Sequence, residues 1–304
     1  MKLNFLIYFH LIRIKQWVKN LFVFAPIFFA AKIGDLLCWE LALIPFLSFC
    51  FAASSIYCLN DIIDLENDKK HPTKKFRPLA SGKIKVNNVI CLSFVLFCLS
   101  LCSASIPLLL PFNFTLLQAT STLGLTSIYL FINVLYCFKL KNYPLIDVTT
   151  ISSGFVLRLI SGGLICQIWI SPWIVCLTFL LTLFLAFAKR RDDVILMADK
   201  TNNFIRNSAT NYNEQFLDQT LSITASVTLV CYITYSISPD VIERFNCEYL
   251  YISSFFVLLG LLKYLQITIV NRKSGNPTKV LLKSRTIQCC VLFWLLFFAL
   301  IIYL

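Results

Sequence analysis

Residues 41–68 of the chain read LALIPFLSFCFAASSIYCLNDIIDLEND. Up to Ile63 this stretch is almost entirely apolar, and it exceeds the length of about 20 residues that a helix needs to cross a bilayer. Its apolar residues form one continuous run, whereas the strands of a membrane β-barrel alternate between apolar and polar residues. Three aspartates, Asp61, Asp64 and Asp68, follow at the end of the run. The stretch therefore predicts a membrane-spanning helix with an acidic end.

The composition extends this prediction to the whole chain. Of its 304 residues 58% are hydrophobic and 14% are charged, whereas a soluble domain carries about 25% charged residues. Backbone groups in lipid must be paired within the protein, which favours helices. We predict an all-α polytopic membrane protein that forms a single domain over residues 1–304. About nine spans are expected, at residues 18–37, 41–63, 88–110, 114–138, 144–166, 172–188, 218–238, 249–270 and 286–304.

The lysines and arginines indicate how the chain is oriented. They cluster before the first predicted span and after the second, fourth, sixth and eighth spans, while the other loops are short or acidic. Positive loops stay on the cytoplasmic side, so the N-terminus and the large polar loops are predicted to be cytoplasmic, in the cell (inner) membrane. The same rule explains the net charge of +12 without nucleic-acid binding. The sequence leaves open whether the protein forms a homo-oligomer.

The acidic motif, defined here as Asn60, Asp61, Asp64 and Asp68, suggests a metal site. The three aspartates are spaced by three and four residues, so they share one face of a helix. Like charges at the end of an apolar helix require a compensating cation. Hard oxygen ligands suit Mg²⁺, which keeps some waters and shares its coordination with a substrate phosphate. We predict that these four residues bind Mg²⁺, the alternative being a solvated helix end with surface acids.

A basic loop follows the acidic motif directly, and residues 69–83 read KKHPTKKFRPLASGK. Such a loop beside a metal site suits an anionic substrate, because arginine offers a fork of donors to phosphate oxygens and lysine offers a point charge. We predict that Arg77 and at least one of Lys74 and Lys75 contact substrate. The alternative is an ordinary cytoplasmic loop that binds lipid headgroups.

The fifth predicted span contains two ionisable residues, Asp147 and Arg158. Eleven helical residues return to nearly the same face about 16 Å further along, and charged residues within a span usually face a cavity or a partner. Arg158 is followed by Gly162 and Gly163, and small residues of this kind permit close helix packing. Either a polar pocket or a structural ion pair between Asp147 and Arg158 is expected.

Two further basic segments are candidates for phosphate binding. The sixth span ends in a mixed cluster that contains Lys189, Arg190 and Asp193. The two cations there could hold phosphate and Asp193 could approach a second metal, unless the run only sets topology. Near the N-terminus, Lys15 and Lys19 share a helix face, and they either contact phosphate or serve the same topological role.

The motifs around residues 60–82 resemble those of the UbiA superfamily of intramembrane prenyltransferases, which have nine helices around a lipid-accessible cavity. The pattern NDxxDxxxD matches residues 60–68, and RPLxSG matches residues 77–82. A closer resemblance is to one branch, the decaprenyl-phosphate phosphoribosyltransferases. Its further matches are KQWVKN at 15–20, LFVFAP at 21–26, HPTKKFRPLASG at 71–82, Tyr136, Lys141, residues 147–158, and Lys189, Arg190 and Asp193.

This resemblance implies transfer of 5-phosphoribosyl from 5-phosphoribosyl 1-diphosphate to a polyprenyl (decaprenyl-type) phosphate, with Mg²⁺ as cofactor and release of diphosphate. It implies catalytic roles for Asp61, Asp64 and Arg77. The residues implied to contact substrate are Lys15, Lys19, Asn60, Lys74, Lys75, Arg77, Tyr136, Lys141, Arg158, Lys189, Arg190 and Asp193.

The chain departs from ordinary UbiA prenyltransferases at their second acidic motif, a tyrosine-led run of aspartates. Here the corresponding run begins with the basic residues 189–191, which favours two phosphate-bearing substrates over a prenyl diphosphate donor. An aromatic prenyltransferase stays open as the alternative. A transporter of anionic lipids is a more distant one, because transporters carry paired helix breaks at mid-membrane and the polar clusters here lie at helix ends.

Overall fold

The computed structural model describes residues 3–70, 74–109, 114–198, 212–271, 280 and 283–303, and these ranges contain helices and no strand. The α-helices are α1 (Leu3–Leu11), α2 (Ala25–Phe29), α3 (Leu36–Ile63), α4 (Leu65–Lys70), α5 (Val86–Leu109), α6 (Leu116–Phe138), α7 (Ile146–Ile165), α8 (Pro172–Ala198), α9 (Glu214–Ser236), α10 (Pro239–Phe245), α11 (Ser254–Leu265) and α12 (Arg285–Tyr303). Short 3₁₀ helices cover Ile14–Phe24, Lys74–Phe76, Leu140–Asn142 and Tyr249–Ser253, and a π-helical turn covers Gln266–Val270.

Seven of these helices are long and apolar enough to cross a membrane. They are α3, α5, α6, α7, α8, α9 and the continuous helix Tyr249–Val270 that includes α11. The chain is therefore a multi-pass, all-α membrane protein, which confirms the predicted fold class. The turn predicted between the third and fourth spans falls partly on residues 110–113, which lie outside the described ranges.

Two predicted spans, 18–37 and 286–304, correspond to segments other than these seven helices. The first is a 3₁₀ helix over Ile14–Phe24 that leads directly into α2, after which the chain turns and Asp35 caps α3. Pro26 in the first turn of α2 fits there because the first amides of a helix need no partner within it. The second is α12. The predicted total of nine spans is not confirmed by the seven observed.

The chain divides into two compact units, Met1–Ile170 and Ser171–Leu304. In the first unit α3 packs against α5, α6 and α7. Hydroxyl groups join these helices, since Ser48 and Thr126 share a hydrogen bond of 3.0 Å and Ser55 donates one of 2.8 Å to a carbonyl of α5. Hydrogen bonds of this kind are typical of packed membrane helices. A single domain over residues 1–304 stays a prediction.

The 3₁₀ helix Ile14–Phe24 lies against α7 and approaches it closely at Gly162. A Cβ atom at Gly162 would lie only 1.8 Å from the carbonyl oxygen of Val23, so a larger residue would require the backbone to move. Val23 and Ile165 are fully buried in the same core. This contact fixes the N-terminal segment against the helix that carries Arg158.

In the second unit, α8 packs against α9, and α11 packs against α12. Tyr232 of α9 shares a hydrogen bond of 2.6 Å with Ser253 and accepts one of 2.7 Å from the indole of Trp294. These bonds tie α9 to the helix Tyr249–Val270 and to α12.

Candidate active site

The acidic motif lies at the junction of α3 and α4. Helix α3 ends at Ile63, and Asp64 takes up the position between the two helices, with the amide of Asp68 donating to its carbonyl at 2.8 Å. Asp61 and Asp68 are each 3% exposed, whereas the Asp64 side chain is 26% exposed. Buried carboxylates require cationic partners, and the structure supplies one set for Asp61 and Asp68 and another for Asp64.

Arg77 joins Asp61 to Asp68. Its Nη1 atom donates to Asp61 Oδ1 at 3.1 Å and to Asp68 Oδ2 at 2.5 Å. A turn positions Arg77, because the amides of Ser81 and Gly82 donate back to residues 77 and 79 at 2.9 and 3.0 Å. Gly82 has φ +74, a conformation that glycine adopts without the strain other residues suffer. Arg77 therefore lies at the acidic motif, and its predicted contact with substrate stays a prediction.

Lys141 and Asn60 hold Asp64. Lys141 Nζ donates to Asp64 Oδ1 at 2.5 Å from the 3₁₀ helix between α6 and α7, and Asn60 Nδ2 donates to Asp64 Oδ2 at 2.9 Å. Lys141 is buried, so the interaction is little screened by solvent. By contrast, Lys69 hydrogen-bonds Glu66 at 2.7 Å in an exposed pair and thereby holds the pKa of Glu66 below its usual value.

Arg13 is a further partner of the acidic motif. It precedes the 3₁₀ helix Ile14–Phe24 in a left-handed conformation with φ 53, and its Nη2 atom donates to Asp61 Oδ1. Its guanidinium also lies over the ring of Tyr57, 4.7 Å from the centroid, a favourable cation–π geometry. One oxygen of Asp61 therefore accepts hydrogen bonds from two guanidinium groups, those of Arg13 and Arg77.

Arg158 occupies a neutral, aromatic pocket. It donates to Asn20 Oδ1 at 2.6 Å, to the Gly154 carbonyl at 2.5 Å and to the Tyr129 hydroxyl at 3.0 Å. The Cζ atom of its guanidinium group lies 4.7 Å from the centroid of the Tyr129 ring. Arg158 is 6% exposed. Its polar and aromatic surroundings are compatible with the predicted polar pocket, and a role of this span in binding substrate stays a prediction.

Lys19 is half-buried on the 3₁₀ helix Ile14–Phe24, next to Asn20, whose side-chain oxygen accepts a hydrogen bond from Arg158. Lys15, on the same 3₁₀ helix, is exposed instead.

The other predicted contact residues of the first unit lie nearer the surface. Lys74 and Lys75 are exposed in the 3₁₀ helix before Arg77, and Tyr136 is half-buried in the last turn of α6. Residues 71–73, which complete the predicted basic loop, lie outside the described ranges. The structure therefore places Arg77 and Lys141 in the ion-pair network, and Lys74 and Lys75 in the exposed segment that precedes Arg77.

The second unit contains the predicted cluster at the end of α8. Arg190 is 1% exposed and donates to Asp193 at 2.6 Å, one helical turn on, while Lys189 is exposed. The neighbouring Arg191 is buried as well. It hydrogen-bonds Asp218, donates to Glu214 at 2.9 Å and reaches the Thr268 carbonyl at 2.8 Å. Arg191 therefore links α8 to α9 and to the π-helical turn, which is a structural role.

The residues of the acidic motif suit a divalent cation in their chemistry. No three His, Cys, Asp or Glu side chains of the described residues surround a common point where they could hold a metal ion. Asp61 and Asp68 nevertheless face one shared cation position, because both lie within hydrogen-bond distance of Arg77 Nη1. Carboxylate oxygens are the ligands that Mg²⁺ prefers. The carboxylates of Asp61 and Asp68 therefore suit Mg²⁺, at the position that the Arg77 guanidinium occupies in the structure.

Comparison with known proteins identifies the fold. The sequence profile of the UbiA prenyltransferase family matches residues 21–286. The chain belongs to this family. Decaprenyl-phosphate phosphoribosyltransferase of Mycolicibacterium smegmatis is 30% identical over 297 residues, which cover 93% of this chain and 88% of the relative. The protein of the same name from Corynebacterium glutamicum is 29% identical over 301 residues, which cover 96% and 86%.

The solved structures agree with this assignment. A UbiA homolog from Archaeoglobus fulgidus, bound to DMAPP and Mg²⁺, has a TM-score of 0.69 and 18% sequence identity, with 97% of this chain and 98% of that chain covered. Likeness at this identity concerns the fold. Together with the family match, it makes the chain a UbiA-type membrane transferase.

Sequence reasoning missed several polar residues of this UbiA-family site. Arg13 and Asn20 lie in the same basic segment as Lys15 and Lys19, so this segment did indicate where further site residues could be found. Charge spacing alone, however, does not show which of its side chains point into the protein. Tyr129 lies inside an apolar run, where a tyrosine carries no recognisable pattern. Contacts of this kind depend on the packing of α3, α6 and α7 rather than on any local spacing.

Proposed function

We propose that this protein transfers 5-phosphoribosyl from 5-phosphoribosyl 1-diphosphate to a polyprenyl phosphate and releases diphosphate, with Mg²⁺ as cofactor. The observation that carries the proposal is the set of cations, Arg13, Arg77 and Lys141, around the three aspartates. Such a site suits a donor that brings both a diphosphate and a metal ion. The similarity over 93% of the chain to decaprenyl-phosphate phosphoribosyltransferase supports the choice of donor and acceptor.

The proposed chemistry needs no strong general base. A phosphate monoester is largely ionised near about pH 7, so the acceptor phosphate can attack C1 of the ribose directly. The difficult step is the departure of diphosphate from C1. Mg²⁺ bound to Asn60, Asp61, Asp64 and Asp68 would neutralise charge on that leaving group.

The protein's own cations act on the same leaving group in this proposal. Arg77 stands at the acidic motif, and Lys74 and Lys75 precede it in an exposed segment. Fixed positive groups aimed at developing charge lower the barrier without reorganisation. The catalytic residues proposed are thus Asp61, Asp64 and Arg77.

The remaining predicted residues would bind the other two phosphates, which are the 5-phosphate of the donor and the phosphate of the lipid. We assign Arg158 and Lys19 of the first unit, and Lys189 and Arg190 of the second unit, to these phosphates. Lys15, Tyr136, Lys141 and Asp193 complete the proposed substrate contacts. We propose that both units act as one domain.

The location of the site follows from the same proposal. The acidic motif and the basic loop lie at the end of a membrane helix, where a soluble sugar donor and a lipid acceptor can meet. We propose that this end faces the cytoplasm of a cell whose inner membrane holds the protein.

A direct assay tests the proposal. Purified protein in detergent is incubated with polyprenyl phosphate, Mg²⁺ and 5-phosphoribosyl 1-diphosphate labelled in the ribose, and the lipid fraction is extracted. We expect labelled lipid and stoichiometric diphosphate, and neither product when chelator removes the metal. Turnover of a prenyl diphosphate with an aromatic acceptor, without any labelled lipid, would show that the protein is an aromatic prenyltransferase instead.

A further inference from the structure

Asp61 is bound by two arginines at the same carboxylate oxygen. Its Oδ1 atom accepts hydrogen bonds from Arg13 and from Arg77, and the residue is 3% exposed. Two guanidinium groups that meet at one buried oxygen repel each other, and Asp61 and Asp68 are the acids that pair with them among the described residues. The four side chains carry no net charge together.

Neither arginine is held by its carboxylate alone. Arg13 lies against the Tyr57 ring, 4.7 Å from its centroid, and its backbone turns from α1 into the 3₁₀ helix Ile14–Phe24 at this residue. It can therefore keep a partner after its hydrogen bond with Asp61 breaks. Arg77 lies on a turn whose amides fix the backbone and leave the side chain to reach inward.

A divalent metal at Asp61 and Asp68 changes this balance. The carboxylates would coordinate the metal, and the two guanidinium groups would lose their neutralising partners beside an added double positive charge. Like charges that are poorly solvated repel strongly. An anion with several oxygens must then arrive together with the metal, and a diphosphate satisfies both guanidinium groups through paired hydrogen bonds.

We propose that Arg13 is a substrate-binding residue that occupies Asp61 until the diphosphate of the donor arrives, and then binds that diphosphate. Metal and diphosphate consequently bind as a pair, each weak without the other. The inference rests on the proposed metal and diphosphate chemistry, but it is independent of which group the enzyme transfers.

Two binding measurements test this proposal on the full-length protein in detergent. Free Mn²⁺ is titrated by electron paramagnetic resonance without any phosphate, and binding of radiolabelled inorganic diphosphate is measured at saturating Mn²⁺. In Arg13→Gln, Asp61 loses a competing cation, so Mn²⁺ alone should bind at least about fivefold more tightly, while diphosphate should bind at least about fivefold more weakly. Opposite shifts of this kind do not arise from a damaged fold.

Lys69→Gln is the matched control, because Lys69 is a cation next to the motif whose described partner is the exposed Glu66. Both of its affinities should equal those of the wild type. Arg13→Lys keeps the charge but lacks the fork of donors, so its affinities for Mn²⁺ and diphosphate should shift in the same directions by smaller amounts. This variant replaces Arg13→Gln in the test if Arg13→Gln does not fold.

Unchanged or weaker Mn²⁺ binding by both Arg13 variants would overturn the inference and leave Arg13 as a structural partner of Asp61. Failure of the phosphoribosyl assay alongside the two opposite shifts would refute the proposed function alone. Labelled lipid without those shifts would refute this inference alone.

Discussion

The spacing of Asp61, Asp64 and Asp68 places them on one helix face, but in the structure Asp61 and Asp68 share Arg77 while Asp64 pairs with Lys141. The spacing predicted that a cation must neutralise them, and the structure shows that the chain supplies such cations itself. Arg13 and Lys141 lie 48 and 77 residues from the aspartates they bind, so no local pattern could pair them. Residue types and the acidic motif were therefore predictable, whereas the ion pairs were set by how the helices pack.

The carboxylates of the acidic motif are expected to be essential for turnover. Asp61→Asn and Asp64→Asn each remove a charge but keep the shape of the side chain. The labelled-lipid assay should show kcat lowered by at least about 100-fold, the scale of losing a key electrostatic group. Glu66→Gln, at an exposed residue of the same segment, is the control and should be nearly unaffected. An Asp variant with normal turnover and normal folding would refute the metal assignment.

Arg158 is expected to contribute to stability through its fork of donors. Lysine at this position keeps the charge but cannot serve Asn20, Gly154 and Tyr129 together. An unsatisfied buried acceptor costs about 1–3 kcal/mol, so Arg158→Lys should lower the free energy of unfolding by about that amount. Thermal unfolding in detergent measures it, with the exposed Arg244→Lys as control. Equal stability of the two variants would argue against this role.

At the scale of whole elements, apolar run length predicted most of the helices. The starts of α3, α7 and α8 and the ends of α6 and α7 lie within a few residues of prediction, because lipid imposes length and internal pairing. The segment before α3 differed from the prediction of one span, because a 3₁₀ helix followed by the short α2 is as apolar as a spanning helix and cannot be told from one by composition. The π-helical turn Gln266–Val270 also had no sequence signal. It lies where Arg191 binds the Thr268 carbonyl, a contact between distant parts of the second unit.

The approach of the 3₁₀ helix Ile14–Phe24 to α7 predicts a specific sensitivity to mutation. Gly162→Ala places a Cβ atom 1.8 Å from the carbonyl oxygen of Val23, so the backbones must separate at a cost of about 1–3 kcal/mol or more. Gly124→Ala on α6 is the control, because nothing lies within 4 Å of its added Cβ, and alanine favours a helix over glycine. Thermal unfolding should show a loss for the first variant only. A stable Gly162→Ala protein would mean that this contact is looser than described.

At the scale of the molecule, charge distribution predicts how the chain crosses the membrane. The positive segments alternate with short or acidic loops, as expected when lysine and arginine stay in the cytoplasm. Among the described residues, seven helices are long and apolar enough to span, and the orientation of the two chain ends depends on how many shorter apolar segments also cross.

Reporter fusions show whether the number of membrane crossings is odd or even, because an odd number places the two chain ends on opposite sides of the membrane. With nine crossings, green fluorescent protein fused before residue 1 should fluoresce in the cytoplasm, and alkaline phosphatase fused after residue 304 should be active outside it. A control fusion within the basic loop after α4 should give no phosphatase activity. Fluorescence from a green fluorescent protein fused at the C-terminal end would demonstrate an even number of crossings.

The separation of Asp64 from the other two aspartates also bears on how such a site can evolve. Lys141 and Asn60 bind Asp64, whereas Arg13 and Arg77 bind Asp61. The partners of one aspartate can therefore change while those of the other keep their ion pairs. Selection, or an engineer, can alter the cations in one half of the site at a time, as long as the three aspartates themselves are retained.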